Sequence, residues 1–219
     1  MDRWATFDCY GTLIDWELGI SDALSSLWPT ADRAKLLARY HEVEPRIQQG
    51  SGRPYREVMA AALAGVAEAE GREIPEQRED VLAESLPGWP AFAEVPAALR
   101  ELRRRGWKLA LLSNTDPDLL AASIRQIGVE PDLAVTAREA GSYKPAHGHW
   151  VRFRELSAAD PSRHVHVAAS AFHDLAPCAE LGIPAVWINR LGERSDLPRA
   201  AELPDLSQLP DILDGLVMP

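Results

Sequence analysis

The pattern of hydrophobic positions changes near the start of the chain, from that of a strand to that of helices. Residues 3–7 form a short, largely apolar run that is typical of a buried strand, and Asp8 follows it directly before a turn at Gly11. From Leu18 to about residue 86 the apolar positions recur at the three- and four-residue spacing of amphipathic helices, and no stretch favours a strand. The pattern therefore predicts one strand followed by a long, all-helical insert.

The breaker segment at residues 87–90, Pro-Gly-Trp-Pro, ends this pattern, and strands then alternate with helices. We predict strands over residues 108–112, 133–136, 164–169 and 185–189. Helices are predicted over residues 95–105, 117–127, 147–156, 174–181 and 209–216. Strands alternating with helices of this length predict an α/β fold with a parallel, doubly wound, Rossmann-like sheet. The α/β core domain is assigned to residues 1–13 and 89–219, and the helical domain to residues 14–88.

Composition narrows the class of protein. The chain has 219 residues with 46% hydrophobic residues, so it has the make-up of a globular protein and not of a disordered or fibrous one. A net charge of −10 argues against nucleic-acid binding, which needs a basic surface. No apolar stretch approaches the roughly 18 residues of a membrane span, and no signal peptide is recognisable, so we expect a cytoplasmic protein that does not bind membranes. Lysine is scarce: Lys35, Lys108 and Lys144 stand against 20 arginines.

Polar side chains follow several of the predicted strands directly. Asp8 comes after the first strand, Ser113 and Asn114 after the second, and Ser170 and Asp174 after the strand at 164–169. Lys144 follows a later loop. Ligands of open α/β sheets bind beyond the carboxyl ends of the strands, so we expect these groups to meet at one edge.

Four segments in chain order resemble the motifs of the haloacid dehalogenase superfamily. They are Asp-Cys-Tyr-Gly-Thr-Leu at 8–13, Leu-Ser-Asn at 112–114, Tyr-Lys-Pro at 143–145 and Ala-Ala-Ser-Ala-Phe-His-Asp at 168–174. The helical domain matches the cap that this superfamily inserts after its first motif. The resemblance implies that Asp8 is a covalent nucleophile and that Lys144 steadies its charge.

Details of the first and fourth motifs distinguish two branches of the superfamily. The phosphatases of the superfamily carry Asp-x-Asp in the first motif and Gly-Asp in the fourth. This chain has Tyr10 in place of the second aspartate and Ala168–Ala169 in place of Gly-Asp. Asp8 and Asp174 alone make a poor Mg²⁺ site, so no metal or other cofactor is expected. An Asp-x-Tyr motif resembles the L-2-haloacid dehalogenases, which implies that Asp8 attacks a short 2-haloacid and that water hydrolyses the resulting ester, releasing halide and a 2-hydroxy acid.

The resemblance also implies roles for the other residues of the motifs. Asp174 would orient Lys144 and the hydrolytic water. Thr12 and Ser113, with backbone amides near Cys9 and Tyr10, would hydrogen-bond Asp8 and the substrate carboxylate. Asn114 and the cap residue Arg39 would hold the departing halide. Arg39 lies three residues after Leu36 and four before Val43, at the edge of an apolar helical stripe.

The fourth motif departs from the dehalogenase pattern. Ala169 and Ala171 stand where those enzymes have serine and asparagine, and Ser170 and His173 lie close by as substitutes for water activation. Each candidate also has a structural interpretation, such as turn capping for Asp8 and Thr12 or a solvated side chain for Arg39. Two other functions therefore stay open: a phosphatase acting on a small phosphate monoester, and a non-catalytic homologue that binds a small anion. A homodimer is what the resemblance implies for assembly.

Overall fold

The computed structural model describes residues 2–218, and its centre is a six-stranded sheet in which every strand is parallel to its neighbours. The strands are β1 (Arg3–Phe7), β2 (Trp107–Ser113), β3 (Leu133–Thr136), β4 (His164–Ala168), β5 (Ala185–Ile188) and β6 (Ala201–Leu203). Their order in the sheet is β3-β2-β1-β4-β5-β6. Alternate side chains of β2 belong to two separate buried clusters, so an apolar layer covers each face of the sheet. The predicted doubly wound α/β fold is confirmed.

Helices fill the intervals between the strands. They are α1 (Trp16–Leu27), α2 (Arg33–Gln48), α3 (Tyr55–Ala69), α4 (Val81–Ser85), α5 (Val95–Arg104), α6 (Pro117–Ile127), α7 (Ala137–Ala140), α8 (Gly148–Ser157), α9 (Ala176–Leu181) and α10 (Leu209–Leu216). Short 3₁₀ turns cover Leu86–Gly88 and Pro161–Arg163, and one π-helical turn covers Ala171–Leu175. No helix between residues 2 and 218 has the length and apolar character that a membrane span requires.

The order in which strands are added to the sheet changes side between β1 and β4. The chain builds β1, β2 and β3 toward one side of the sheet and then returns to lay down β4, β5 and β6 on the other. At such a switch point the connections after the two central strands diverge and leave a crevice at the carboxyl edge. Asp8 and Ala169 are the first residues beyond β1 and β4, so the crevice lies between the first and fourth motifs.

Helices α1–α4, called the cap helices below, are inserted between β1 and α5. The chain enters and leaves this region through two adjacent segments, in which the amide of Asp15 donates to the carbonyl of Pro90 (2.9 Å) and the amide of Phe92 donates to the carbonyl of Leu13 (3.0 Å). A second contact lies at the other end, where the carboxylate of Asp116 accepts hydrogen bonds from the amides of Tyr55 and Arg56, both at 3.0 Å. These contacts place α2 and α3 over the carboxyl edge of the sheet. The division at residues 14 and 88 stays a prediction.

Three elements differ from the sequence prediction. Helix α7 was not predicted, because its four residues are too few to show a helical period. Strand β6 was not predicted, because it is only three residues long and lies at the sheet edge between prolines, where its pairing with β5 defines it. The helix predicted from Asp174 begins at Ala171 as a π-helical turn and becomes α-helical at Ala176. π-Helical turns are frequently found at functional sites, and this one carries the fourth motif.

Candidate active site

Lys144 lies at the centre of the polar cluster in the crevice. Its Nζ donates to Oδ1 of Asp8 at 2.8 Å, to Oδ1 of Asp174 at 2.7 Å and to the carbonyl of Leu112 at 2.9 Å. An ammonium group has three hydrogens, so all of its donors are used. The side chain is only 1% exposed, and this geometry therefore holds the two carboxylates on either side of one buried cation.

Charge in this cluster outweighs the effect of burial. Burial alone would lower the pKa of Lys144, but the carboxylates of Asp174 and Asp8 raise it above its ordinary value. Burial would raise the pKa of Asp174, but Lys144 and His166 lower it below the usual range. Lys144 is therefore a cation and Asp174 an anion at neutral pH.

The turn after β1 fixes the second oxygen of Asp8. Oδ2 accepts a hydrogen bond from Oγ1 of Thr12 at 2.8 Å, and the same Oγ1 accepts one from the amide of Ala169 at 2.9 Å. Gly11 makes this turn with φ of +86°, and a Cβ there would lie 3.1 Å from Nε1 of Trp16. Thr12 thus ties the first motif to the fourth across the switch point.

Asn114 joins the core to the cap. Its Oδ1 accepts from the amide of Lys144 at 2.7 Å, and its Nδ2 donates to the carbonyl of Lys144 and to Oε1 of Gln48 on α2, both at 3.0 Å. Both amide hydrogens of Asn114 are used in these contacts. In this arrangement the residue positions Lys144 and α2 and keeps no donor free for a halide.

Asp174 has a second buried partner that the sequence analysis did not identify. Nε2 of His166 lies 3.0 Å from Oδ1 of Asp174, and Nδ1 of His166 lies 2.8 Å from Oγ1 of Thr6, which in turn lies 2.8 Å from Nε2 of His164. The neutral tautomers satisfy every contact if His164 donates to Thr6, Thr6 to His166 and His166 to Asp174. Oδ2 of Asp174 is buried and has no partner among the described residues. The His-x-His spacing in a buried strand was the available signal, because it places both rings on one face.

Ser170 and His173 lie on the π-helical turn beside this cluster, and both line the cavity described below. Oγ of Ser170 accepts from the amide of His173 at 3.0 Å and lies 3.2 Å from its Nδ1. Burial lowers the pKa of His173 from its ordinary value, so the ring is neutral at pH 7.

Several predicted site residues lie elsewhere. Cys9 and Ser113 are fully buried and do not line the cavity, and burial raises the pKa of the Cys9 thiol. The ring of Tyr10 lines the cavity, but its hydroxyl is bonded to Oγ of Ser123 at 3.0 Å. Of these three residues, Tyr10 alone contributes to the cavity wall.

The structure places Arg39 away from the cavity, so its role in holding the halide stays a prediction. Its guanidinium forms ion pairs with Glu70, at the end of α3, and with Glu42, one turn further along α2, and it does not line the cavity. Arg39 lies on the side of α2 that faces α3, where two carboxylates hold it. The cavity residues that α2 does supply are His41, Glu44, Pro45 and Gln48.

The cavity occupies the space between the carboxyl edge of the sheet and the cap helices and has a volume of about 750 Å³. Asp8, Lys144 and Asp174 lie in its wall, and Trp16, Phe92 and Phe172 supply apolar surface. Among residues 2–218, no cluster of three or more histidine, cysteine, aspartate or glutamate side chains is arranged to hold a metal. The cavity is large enough for a small organic substrate.

Comparison with known proteins gives the family. A family model for haloacid dehalogenase-like hydrolases matches residues 3–182. The (S)-2-haloacid dehalogenase of Pseudomonas sp. strain YL is 27% identical over 191 residues, covering 85% of this chain and 82% of that protein. The phosphoserine phosphatase of Thermus thermophilus is 30% identical over 189 residues, covering 84% of this chain and 70% of that protein.

Solved structures agree on the fold. The L-2-haloacid dehalogenase of Xanthobacter autotrophicus with chloropropionic acid covalently bound matches 98% of this chain and 99% of its own, with a TM-score of 0.87 at 20% identity. The superfamily that the four motifs predicted is therefore confirmed. Because the family model spans most of its length, the chain belongs to the haloacid dehalogenase-like hydrolases.

Proposed function

We propose that the protein is a hydrolytic dehalogenase that acts on short 2-haloalkanoic acids through an ester on Asp8. The observation that carries the proposal is the buried Asp8–Lys144–Asp174 cluster at the switch point, combined with Tyr10 where a phosphatase needs an acid. The relative from Pseudomonas sp. strain YL, named a (S)-2-haloacid dehalogenase, supports the same reaction class.

The first step is a displacement at carbon. A carboxylate oxygen of Asp8 forms a bond to the α-carbon of the acid, and the carbon–halogen bond breaks with its electron pair on the departing halide. Halide is a stable anion and needs no proton, which suits a site where Tyr10 replaces the acid. Lys144 and Thr12 hold the carboxylate of Asp8 in place for attack.

The second step is hydrolysis of the ester. Water adds to the carboxyl carbon of Asp8 and gives one proton to a base. The acyl carbon–oxygen bond then breaks, the leaving oxygen takes up that proton to give the 2-hydroxy acid, and the regenerated Asp8 carboxyl group loses the other proton. Oδ2 of Asp174 is the acceptor that the cluster leaves unpaired, and Lys144 stabilises the oxyanion of the tetrahedral intermediate. Neutral His173 is a second base at the same cavity wall. The overall reaction consumes one water and yields halide, a 2-hydroxy acid and one proton.

Intact-mass spectrometry combined with halide release tests the proposal. The protein is mixed with chloroacetate, 2-chloropropionate and fluoroacetate, and a single turnover is run in ¹⁸O-labelled water. We expect halide release and one ¹⁸O atom in Asp8, because water attacks the enzyme carboxyl and not the substrate carbon. Asp8→Asn is expected to release no halide and to take up no label. Unchanged mass, no label and no halide across the panel would contradict the proposal.

A phosphatase is the second candidate, because the Thermus thermophilus relative is named a phosphoserine phosphatase. The residues present do not fit the Mg²⁺ on which that chemistry depends in the superfamily's phosphatases. Lys144 already occupies the space between Asp8 and Asp174, and Ala169 stands where a further carboxylate would be needed. Mg²⁺-dependent turnover of a phosphate monoester that Asp8→Asn abolishes would favour this candidate. Binding of small anions with neither activity would favour a non-catalytic homologue.

A further inference from the structure

A buried carboxyl group of the cap faces the cavity and has no part in the reaction described above. Glu44 on α2 is 4% exposed and lines the cavity. Its Oε1 accepts a hydrogen bond from Nε2 of Gln48 at 2.9 Å. Its Oε2 is not among the buried atoms that lack a partner, and the Tyr55 hydroxyl lies close to the carboxyl group.

Hydrogen bonds fix the position of Glu44 relative to the nucleophile. Gln48 bonds to Glu44 through its Nε2 and to Asn114 through its Oε1, and Asn114 bonds to the backbone of Lys144 on both sides of its amide. Lys144 in turn holds Asp8. A continuous path of hydrogen bonds therefore joins the cap carboxyl to the reacting carboxylate, and both groups line the same cavity.

The electrostatics of the cavity select against a second negative charge. Eight carboxylate side chains line it, against two permanent cations, Lys144 and Arg190. Both cations are already paired, Lys144 with Asp8 and Asp174, and Arg190 with Glu94 at 2.6 Å. A substrate group near Glu44 therefore meets carboxylate acceptors, and both permanent cations of the cavity wall are already paired.

Neighbouring side chains keep Glu44 able to accept hydrogen bonds in either protonation state. Burial raises its pKa to about 7, and the nearby Tyr55 hydroxyl opposes that shift. Tyr40, one turn before Glu44 on α2, stays neutral because burial raises its pKa well above the ordinary value. A carboxyl group in this setting accepts from a hydroxyl in both forms and attracts an ammonium when ionised.

We propose that Glu44 determines specificity for the part of the substrate beyond the reacting carbon, by binding a hydroxyl or ammonium group there. On the dehalogenation proposed above, on which this inference rests, the preferred substrates are 2-haloacids whose side chain carries a hydrogen-bond donor, and 2-haloacids with a second carboxylate are disfavoured.

A matched substrate series tests this inference. It consists of 2-chloropropionate, 2-chloro-3-hydroxypropionate, 2-chloro-3-aminopropionate and chlorosuccinate, together with the same end groups on chains two methylenes longer. The measurement is kcat/KM for halide release at pH 8 by the wild-type protein and by Glu44→Gln. Glu42→Gln is the control, because it removes one charge from the same helix outside the cavity.

For the wild-type protein, at one of the two chain lengths, we expect the hydroxyl or ammonium substrate to exceed the methyl compound by about tenfold, and the carboxylate compound to fall below it by a similar factor. In Glu44→Gln the advantage of the ammonium group is expected to disappear and the carboxylate compound to gain, whereas Glu42→Gln keeps the wild-type ranking. The wild-type ranking alone is decisive should Glu44→Gln fail to fold.

Two different failures are distinguishable. Halide release from chloroacetate with equal or better activity on chlorosuccinate, or with an unchanged ranking in folded Glu44→Gln, would overturn the role of Glu44 and leave dehalogenation standing. No halide from any compound, chloroacetate included, would overturn the proposed function and this inference with it.

Discussion

Replacing Lys144 by methionine should reverse the direction in which pH changes stability at the site. Methionine keeps most of the buried volume but removes the cation that Asp8 and Asp174 share. Their Oδ1 atoms lie 2.8 and 2.7 Å from the same Nζ, so these two oxygens are at most 5.5 Å apart. Two charges at that separation repel by about 3 kcal/mol at an effective dielectric constant of about 20.

This repulsion raises the pH at which the pair of carboxylates takes up its first proton by about two units, since one unit corresponds to about 1.4 kcal/mol. In folded Lys144→Met the pair therefore takes up one proton near pH 6, whereas the unfolded chain takes it up near pH 4. Between those values the folded variant binds more protons than the unfolded one, so its stability falls as pH rises. The wild-type protein behaves in the opposite way at this site, because the lowered pKa of Asp174 contributes stability that is lost on acidification.

Urea denaturation followed by tryptophan fluorescence at pH 5, 6, 7 and 8 measures the effect. We expect Lys144→Met to lose about 3–5 kcal/mol relative to wild type at pH 8 and distinctly less at pH 5. Groups that titrate in the same way in both proteins do not contribute to the difference in their free energies of unfolding. Lys108→Met is the control, since that half-exposed lysine pairs with Asp132 at 3.1 Å and should cost at most about 1 kcal/mol at either pH. An equal loss at pH 5 and pH 8 in Lys144→Met would refute the electrostatic reasoning.

Three further substitutions probe the cap helices and their contact with the core. Glu44→Gln should stabilise the protein by about 3 kcal/mol more at pH 8 than at pH 4. With a pKa of about 7 in the folded protein, Glu44 makes the wild-type fold less stable as pH rises from 4.5 to 7, and glutamine does not titrate. A change in urea midpoint that is the same at both pH values would contradict this. Asp116→Ala should cost about 2 kcal/mol in the same assay by freeing the two amide donors at the start of α3, and a neutral result would show that water replaces the carboxylate. Arg39→Gln should leave halide release within about twofold of wild type, and a loss of tenfold or more would place its side chain at the substrate.

Most of the secondary structure was predictable because it depends on residues that are close together in the sequence. Apolar positions with glycine or proline at their ends define α6 and β3 at the residues the structure shows, and Gly128 closes α6 with φ of +67°. The position of Asp8, Lys144 and Asp174 at one sheet edge was also predictable, because parallel strands bring the residues that follow them together. Strand β6 was not, since three residues carry too little pattern to show a period.

The parts of the site that the sequence did not predict depend on which of several nearby groups a side chain contacts in the folded protein. Helical spacing placed Arg39 at the edge of a stripe, but it does not say whether a carboxylate of α3 or the cavity receives the guanidinium, and Glu70 receives it. The same limit applies to Glu44 and Gln48, which lie on the cavity side of α2. His166 was missed for another reason: a histidine inside an apolar strand is ordinarily a packing residue, and the His-x-His spacing shows a shared face but not the contact with Asp174.

The paired segments around Leu13 and Phe92 make the cap region a transplantable unit. Because the chain departs and returns side by side, a short turn joining Asp15 to Pro90 would close the gap as a small hairpin and leave the order of the six strands unaltered. Segments whose ends lie this close are readily inserted, removed or exchanged. Asp8 and Lys144 thus lie in stretches of sequence separate from the cap helices, so a different cap joined at these two points would change one wall of the cavity and leave both side chains in place.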